Sequence, residues 1–377
     1  MAKPTTIKVG MIGLGGVAQA HLQAFELLAA EGNSCVSLVA VCDVRQEAAD
    51  TVAERFTVAA FADYHALLEQ SDIDVAMVLT PASTHRAIVE AAAAKGIDVF
   101  CEKPIAVTAE DAEAMVDACA NANEGRGVRL FYGSCYRYLP AIIKAKAVIA
   151  EGAIGDVQLM TEQAIGGHGI DGYTELAPIH YPLGGPGGPG MGLVDHGVHL
   201  IDIFPWLTDS TIVAAHGRGS VSGQAAGSEY MVMQLANGAV GHLLYNAATY
   251  TAGLPSEGMF SGGQAWLTDA TVADAGGWEN DPGSISIYGS HGALRIFHYT
   301  NALFINNGDG PQKVSLEGRA AFGHFASQLE DIAETIVHNK QPSINGAAGV
   351  TALKALLQVY RSPSLLTNHT LLEVIHA

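Results

Sequence analysis

The chain has 377 residues, 49% of them hydrophobic and only 15% charged, with 43 glycines, which describes a folded, loop-rich globular protein long enough for two domains. Nineteen basic against 38 acidic residues give a net charge of −19, and such a surface repels a phosphate backbone, which argues against a nucleic-acid partner. No apolar run approaches membrane-spanning length, the first apolar segment runs into Gly13 and Gly15 without a cleavage site, and the five cysteines form no CxxC pair, so a cytoplasmic protein with reduced, buried thiols is expected.

Strand-like apolar runs alternate with amphipathic stretches through the first third of the chain. The strands are read at 7–13, 37–43, 74–80, 97–102 and 128–133, with helical stretches at 46–56, 84–96 and 109–122. This alternation predicts a parallel sheet with helices on both faces, a first domain over residues 1–133. The texture then changes. A helix (139–151) leads into a strand (156–165), a Gly/Pro-rich loop PLGGPGGPGMG (182–192) and a helical segment LVDHGVHLIDIFPWL (193–207). Strand-like runs follow at 211–221, 229–250, 284–299 and 302–306, broken by the turn signals Ala236-Asn237-Gly238 and Ser290-His291-Gly292, which suit antiparallel hairpins. Helices are read at 322–339 and 348–362. The fold class is therefore α/β: an N-terminal parallel sheet, plus a second α/β domain over 134–377 with a large, mainly antiparallel open sheet. The last helices are placed to pack back on the first domain.

The first strand runs into GLGGVA (13–18), a GxGxxA phosphate-binding pattern. Gly13 permits the tight turn, Gly15 lets the backbone approach a pyrophosphate, and Ala18 allows close helix–strand packing. Asp43 closes the second strand, 28 positions after Gly15, where an acid accepts both adenosine ribose hydroxyls and disfavours a 2′-phosphate. That points to NAD, although Arg45 stands close enough in sequence to neutralise a phosphate, and Asp43 could serve only to cap the next helix. TPASTH (80–85) follows the strand at 74–80, at the carboxyl edge where open α/β sheets bind ligands, with Ser83 or Thr84 open to an N-capping role. Lys103, in VFCEKPIA (99–106), leaves its strand at the same edge. In LVDHGVHLID, Asp195, His199 and Asp202 stand at i, i+4 and i+7, a polar stripe that is costly to bury without purpose or partners. His196 and His199 with Asp195 also admit a metal reading, but no further ligand cluster of suitable spacing accompanies them, and no metal is expected.

Together, GLGGVAQAHL (13–22), CD (42–43), TPASTH (80–85), EKP (102–104), YRYLP (136–140), EGAIGDV (151–157), DHGVHLID (195–202) and QPSINGAAG (341–349) resemble the glucose–fructose oxidoreductase/inositol dehydrogenase/rhizopine catabolism (Gfo/Idh/MocA) family. The resemblance implies a Rossmann domain and a C-terminal domain whose open sheet often serves in oligomer contacts. It also implies hydride transfer between NAD(P) and a carbinol of a sugar, inositol or related polyol. It places the catalytic lysine on Lys103 and the catalytic aspartate and histidine on Asp195 and His199. Motifs and resemblance together assign cofactor contacts to Gly13, Leu14, Gly15, Gly16, Val17, Asp43, Arg45, Thr80, Pro81, His85, Glu102 and Lys103. Substrate contacts fall on Lys103, Arg137, Tyr138, His168, Asp195 and His199. The 182–192 loop and the region 254–283 depart from the family's pattern, which leaves the substrate open.

Three alternatives differ in what they need. An NAD-dependent glycosidase would use the same site for transient oxidation and elimination, without net NADH. A non-catalytic dinucleotide sensor needs the glycine motif but not the lysine, aspartate and histidine. A metal-dependent isomerase would lose activity on chelation.

Overall fold

A computed structural model describes residues 6–167, 192–218, 229–250, 284–298, 301–308, 310, 312–319 and 322–361. The loop at 182–191, His168 and the region 254–283 lie outside the described residues, and so do the side chain of Asp195 and the far end of the strand-like run read at 211–221.

The first domain is a six-stranded parallel sheet of β1 (Ile7–Ile12), β2 (Val36–Cys42), β3 (Ala59–Phe61), β4 (Val75–Val78), β5 (Asp98–Glu102) and β6 (Leu130–Gly133). Its order is β3-β2-β1-β4-β5-β6, so the winding reverses between β1 and β4 and opens a crevice at their carboxyl ends. The central strand β4 is buried at every position, as a sheet covered on both faces requires, and so is the edge strand β6. The covering helices are α1 (Gly16–Ala30), α2 (Gln46–Phe56), α3 (Tyr64–Gln70), α4 (Ala82–Ala94) and α5 (Ala109–Gly125). Sequence reading missed β3 and α3: three residues of edge strand and a two-turn helix carry too little periodicity to register. Helix α4 opens at Ala82, so Ser83 and Thr84 lie inside its first turn and neither caps it; the N-cap is Pro81.

Beyond β6 a 3-10 turn (Cys135–Tyr138) and α6 (Pro140–Ala150) lead into the second sheet. Its strands are β7 (Val157–Gly167), β8 (Ile212–Arg218), β9 (Glu229–Leu235), β10 (Val240–Tyr250), β11 (Ile285–Gly289), β12 (Ala293–Phe297), β13 (Ala302–Asn306) and β14 (Gln312–Lys313). They are ordered β14-β13-β12-β11-β7-β10-β9-β8. All neighbours run antiparallel except β7 and β10, which pair in parallel at the middle of the sheet. Period-two alternation buries one face (Met160, Glu162, Met231, Met233, Leu243, Tyr245) and leaves Leu159, Val232 and Tyr288 on the other. The buried face carries α7 (Val198–Leu207), entered through a wider π turn at Leu193–Gly197. The sequence pattern gave one regular helix over 193–207; the opened turn is a geometry that concentrates at functional sites.

Helices α8 (Gly323–Val337) and α9 (Gly346–Arg361) return to the first domain. α8 packs on α1, and α9 packs on α5 and β6. The link between them is pinned by Arg129 at the start of β6. Its guanidinium pairs with Asp98 at 2.8 Å and donates to the Lys340 carbonyl (2.9 Å) and Asn339 Oδ1 (2.6 Å). One continuous core runs from Ile7 to Val359. Arg129→Ala, which leaves the largely buried Asp98 carboxylate only the backbone N–H at position 129 and frees the α8–α9 link, should lower unfolding free energy by about 1–3 kcal/mol in urea denaturation.

Candidate active site

The first element of the site is an empty shelf above α1. Gly13 ends β1 at φ +94°, and a Cβ there would lie 2.8 Å from the Leu79 backbone and from Thr80, so only glycine lets β1 and the exit of β4 meet at the crevice. A Cβ on Gly15 or Gly16 would touch nothing within 4 Å, and no side chain caps the N-terminus of α1. Open space over unpaired helix N–H groups is what a pyrophosphate needs. At the neighbouring strand end, Asp43 accepts from Leu14 N (2.9 Å), Arg45 N (2.9 Å) and Arg45 Nε (3.0 Å). Burial raises its carboxyl pKa, but the Arg45 hydrogen bonds and charge and the Leu14 N–H outweigh that and hold it below the usual range. The residues fit an NAD(P) molecule with one condition: the exposed Arg45 guanidinium shares the Asp43 carboxylate with any ribose hydroxyl.

Lys103 leaves β5 through a cis bond to Pro104. The residue before it is anchored inward: Glu102, buried, meets His21 Nε2 of α1 at 2.9 Å and accepts the Lys103 backbone N–H at 2.9 Å. His85 is equally fixed. Its Nδ1 lies 3.0 Å from the Ile105 carbonyl and its Nε2 2.7 Å from that of Thr80, so it joins the loops that follow β4 and β5. Burial pushes its pKa down despite those carbonyls.

His199, on α7 in the second domain, lies within electrostatic reach of Lys103. It is buried, its ring lies flat on Tyr136 (centroids 4.1 Å apart, planes 7° apart), and its Nδ1 makes no hydrogen bond among the described residues. Its pKa is held well below 6.5, first by burial and then by the positive charge of Lys103, so the imidazole is neutral at physiological pH. Asp202, one turn on, is clamped to Arg137 through two hydrogen bonds of 2.7 and 2.5 Å and also accepts from Ser134. Arg137 in turn lies over the Trp206 ring. Tyr138 donates to Asp331 at 2.7 Å. The structure thus sets His199 within electrostatic reach of Lys103, and engages Arg137, Tyr138 and His85 with protein partners.

Behind Tyr136 lies a cluster the sequence reading did not anticipate. His196 Nε2 meets both oxygens of Glu162 (2.8 and 2.9 Å), its Nδ1 faces the Tyr136 hydroxyl at 3.2 Å, and Tyr245 also donates to Glu162. Tyr245 reaches this point because Gly192 and Gly197 leave room for its ring. Glu162 sits on the inward-facing parity of β7, two residues after Met160, but that parity alone does not name its partners. His298 continues the inward parity of Leu294 and Ile296 just past the end of β12. A cavity of about 660 Å³ adjoins the cluster, with Tyr138, His298, Arg319 and His324 in its wall.

The family's NAD-binding Rossmann-fold model matches residues 7–129, and its C-terminal-domain model matches 142–295. The chain belongs to the GFO/IDH/MocA oxidoreductase family. Inositol 2-dehydrogenase of Salmonella paratyphi B is 28% identical over 204 residues, 54% of either chain. That of Paracoccus denitrificans is 32% identical over 213 residues, 56% of either chain. The chain spans about half the length of these curated relatives. Among solved structures, the aldose-aldose oxidoreductase of Caulobacter crescentus, complexed with glycerol, superposes with a TM-score of 0.73 at 21% identity, over 94% of this chain and 98% of that one. The GFO/IDH/MocA fold accounts for both sheets and their order.

The five cysteines of this family member are free, and burial raises the pKa of Cys42 to about 11 and of Cys119 to about 12, so these two are inert as thiolates. His324 makes the protein acid-sensitive. Burial, then His21, holds its pKa at about 3 against an ordinary 6.5. Below pH 6.5 the unfolded chain takes a proton that the folded chain refuses until about pH 3, so stability is full above that window and falls as pH drops through it. Between pH 6.5 and 5, His324 alone should remove about 2 kcal/mol, a loss absent from His324→Gln when both proteins are unfolded in urea at the two pH values.

Proposed function

We propose that this protein is an NAD(P)-dependent oxidoreductase that moves a hydride between nicotinamide and one carbinol of a sugar, inositol or related polyhydroxylated substrate. The observation that carries the reading is a neutral, buried His199 under the charge of Lys103, on the crevice whose floor is the Gly13–Gly16 shelf. The inositol 2-dehydrogenase relatives support the substrate class. Nicotinamide, when bound, supplies the hydride acceptor or donor.

His199 is the general base in this reading. A neutral imidazole takes the hydroxyl proton as the C–H bond gives up its hydride, and Tyr136 stacked on its face fixes the ring plane and keeps water off it. Lys103 hydrogen-bonds the carbinol oxygen and stabilises charge that develops there. Asp195 orients His199 and supports its charged form. NAD is the preferred cofactor in this reading, because a carboxylate at the end of β2 accepts both ribose hydroxyls and leaves no place for a 2′-phosphate.

Lys103→Ala and His199→Ala should each lower kcat about 10²–10⁴-fold on the best substrate from a sugar and inositol panel, while NAD affinity measured by fluorescence stays near wild type. Asp195→Asn should cost less and shift the pH–rate profile. In the same assays kcat/KM should be higher with NAD than with NADP, and turnover should produce net NADH. Full turnover by both alanine variants would refute the assignment, and activity without net NADH would favour the glycosidase chemistry.

The second sheet is the surface on which a homo-oligomer is expected to form. Leu159 and Tyr288 are cross-strand neighbours on its open face, with Val232 on the same face and Val213, 58% exposed, at the β8 edge. Light scattering should give a dimer or tetramer at micromolar concentration, and Leu159→Lys with Tyr288→Lys should shift it toward monomer.

A further inference from the structure

The cluster behind Tyr136 has the make-up of a metal centre. Glu162 comes from β7, His196 from the π turn and His298 from the end of β12, and each side chain is at most 5% exposed. Their ligand atoms all lie within 4.8 Å of one another. Three distant segments converging on one buried point with two imidazoles and a carboxylate make a donor set suited to zinc, a borderline cation that takes nitrogen and oxygen ligands. We propose that Glu162, His196 and His298 bind one zinc ion.

The spacing is compatible with that ion. With bonds of about 2.0–2.2 Å in tetrahedral geometry, two ligand atoms of zinc sit roughly 3.3 Å apart. The separations of 2.8 Å from His196 Nε2 to Glu162 Oε1 and 3.7 Å from His298 Nε2 to the same oxygen bracket that value. The first distance is also that of a hydrogen bond, whereas the second is that of a looser ion pair. The remaining separation lies within the 4.8 Å spread of the set, so an ion would draw the three side chains inward.

Outer partners and an access route are also in place. The Tyr136 hydroxyl faces His196 Nδ1 and so fixes which nitrogen is left for the metal, and Tyr245 steadies Glu162 by a hydrogen bond. His298 borders the 660 Å³ cavity, which supplies an entry path. On binding, any proton on His196 Nε2 is released to solvent and the nitrogen lone pair goes to the ion. The ion then fixes, through His196 and Tyr136, the surface against which His199 lies. The site does not depend on the hydride-transfer reading, because its ligands lie in the second domain and its readout is metal content.

The test uses the full-length protein with any affinity tag removed. Inductively coupled plasma mass spectrometry after purification, and again after chelator treatment and zinc repletion, should give one zinc per chain. Zinc should raise the melting temperature of the chelated protein. Glu162→Gln and His298→Gln should each weaken zinc binding, measured by competition with a chromophoric chelator, by at least about 10–100-fold, since even losing an outer partner has that effect. X-ray absorption should report two imidazoles and light-atom ligands only. Should one variant fail to fold, judged by circular dichroism, the other decides. Less than one-tenth equivalent of zinc after repletion, or stoichiometric zinc retained with unchanged affinity by a folded variant, overturns the proposal.

Discussion

The bidentate ion pair between Arg137 and Asp202 is the joint on which the site depends. Arg137 lies in the 3-10 turn immediately after β6, the last strand of the first domain, and Asp202 lies on the buried face of α7, in the second. Both charges are withdrawn from water, so either one alone would be strongly destabilising; together, with the Ser134 hydroxyl and the Trp206 ring, they are satisfied. The geometry of that pair places Tyr136, the neighbour of Arg137, flat against His199, three residues before Asp202. One electrostatic clamp therefore holds α7 against the exit of the Rossmann sheet, with His199 inside the field of Lys103.

Burial does the rest of the chemistry. In water an imidazole beside an ammonium would be little perturbed, since the interaction of two charges is screened. Here His199 has lost its solvent, and that loss together with the charge of Lys103 keeps it neutral. Neighbouring strand ends supply the lysine with a fixed base: Glu102 holds the backbone N–H of Lys103 and reaches back to His21, and His85 spans the loops after β4 and β5. Glu102 and His85 thus brace the loops from which Lys103 and Thr80 emerge.

Much of the fold was legible because long amphipathic segments and glycine placement speak directly to local geometry. Gly13, Gly15 and Asp43 announced the β1–α1–β2 unit, and the hairpin signals around Gly238 and Gly292 announced the second sheet. The parallel pairing of β7 and β10 left no local trace, since it joins strands more than seventy residues apart. Arg137 was legible as a charged residue in a short motif, but its partner Asp202 is 65 positions on, and spacing along a helix cannot name a partner on another element. Glu162, Tyr136 and His298 were hidden for the same reason: each is a single polar residue on an inward face, and only the folded sheet shows that they converge.

The central claim is that His199 is a neutral base held so by burial and by Lys103. Its protonation state can be followed directly by NMR of protein labelled with nitrogen-15 in the imidazole rings, titrated in wild type and Lys103→Ala, with His199→Gln to assign the resonance. The account predicts a wild-type midpoint well below 6.5, and a higher one when Lys103 is removed. A wild-type midpoint near 6.5 that Lys103→Ala leaves in place would contradict it.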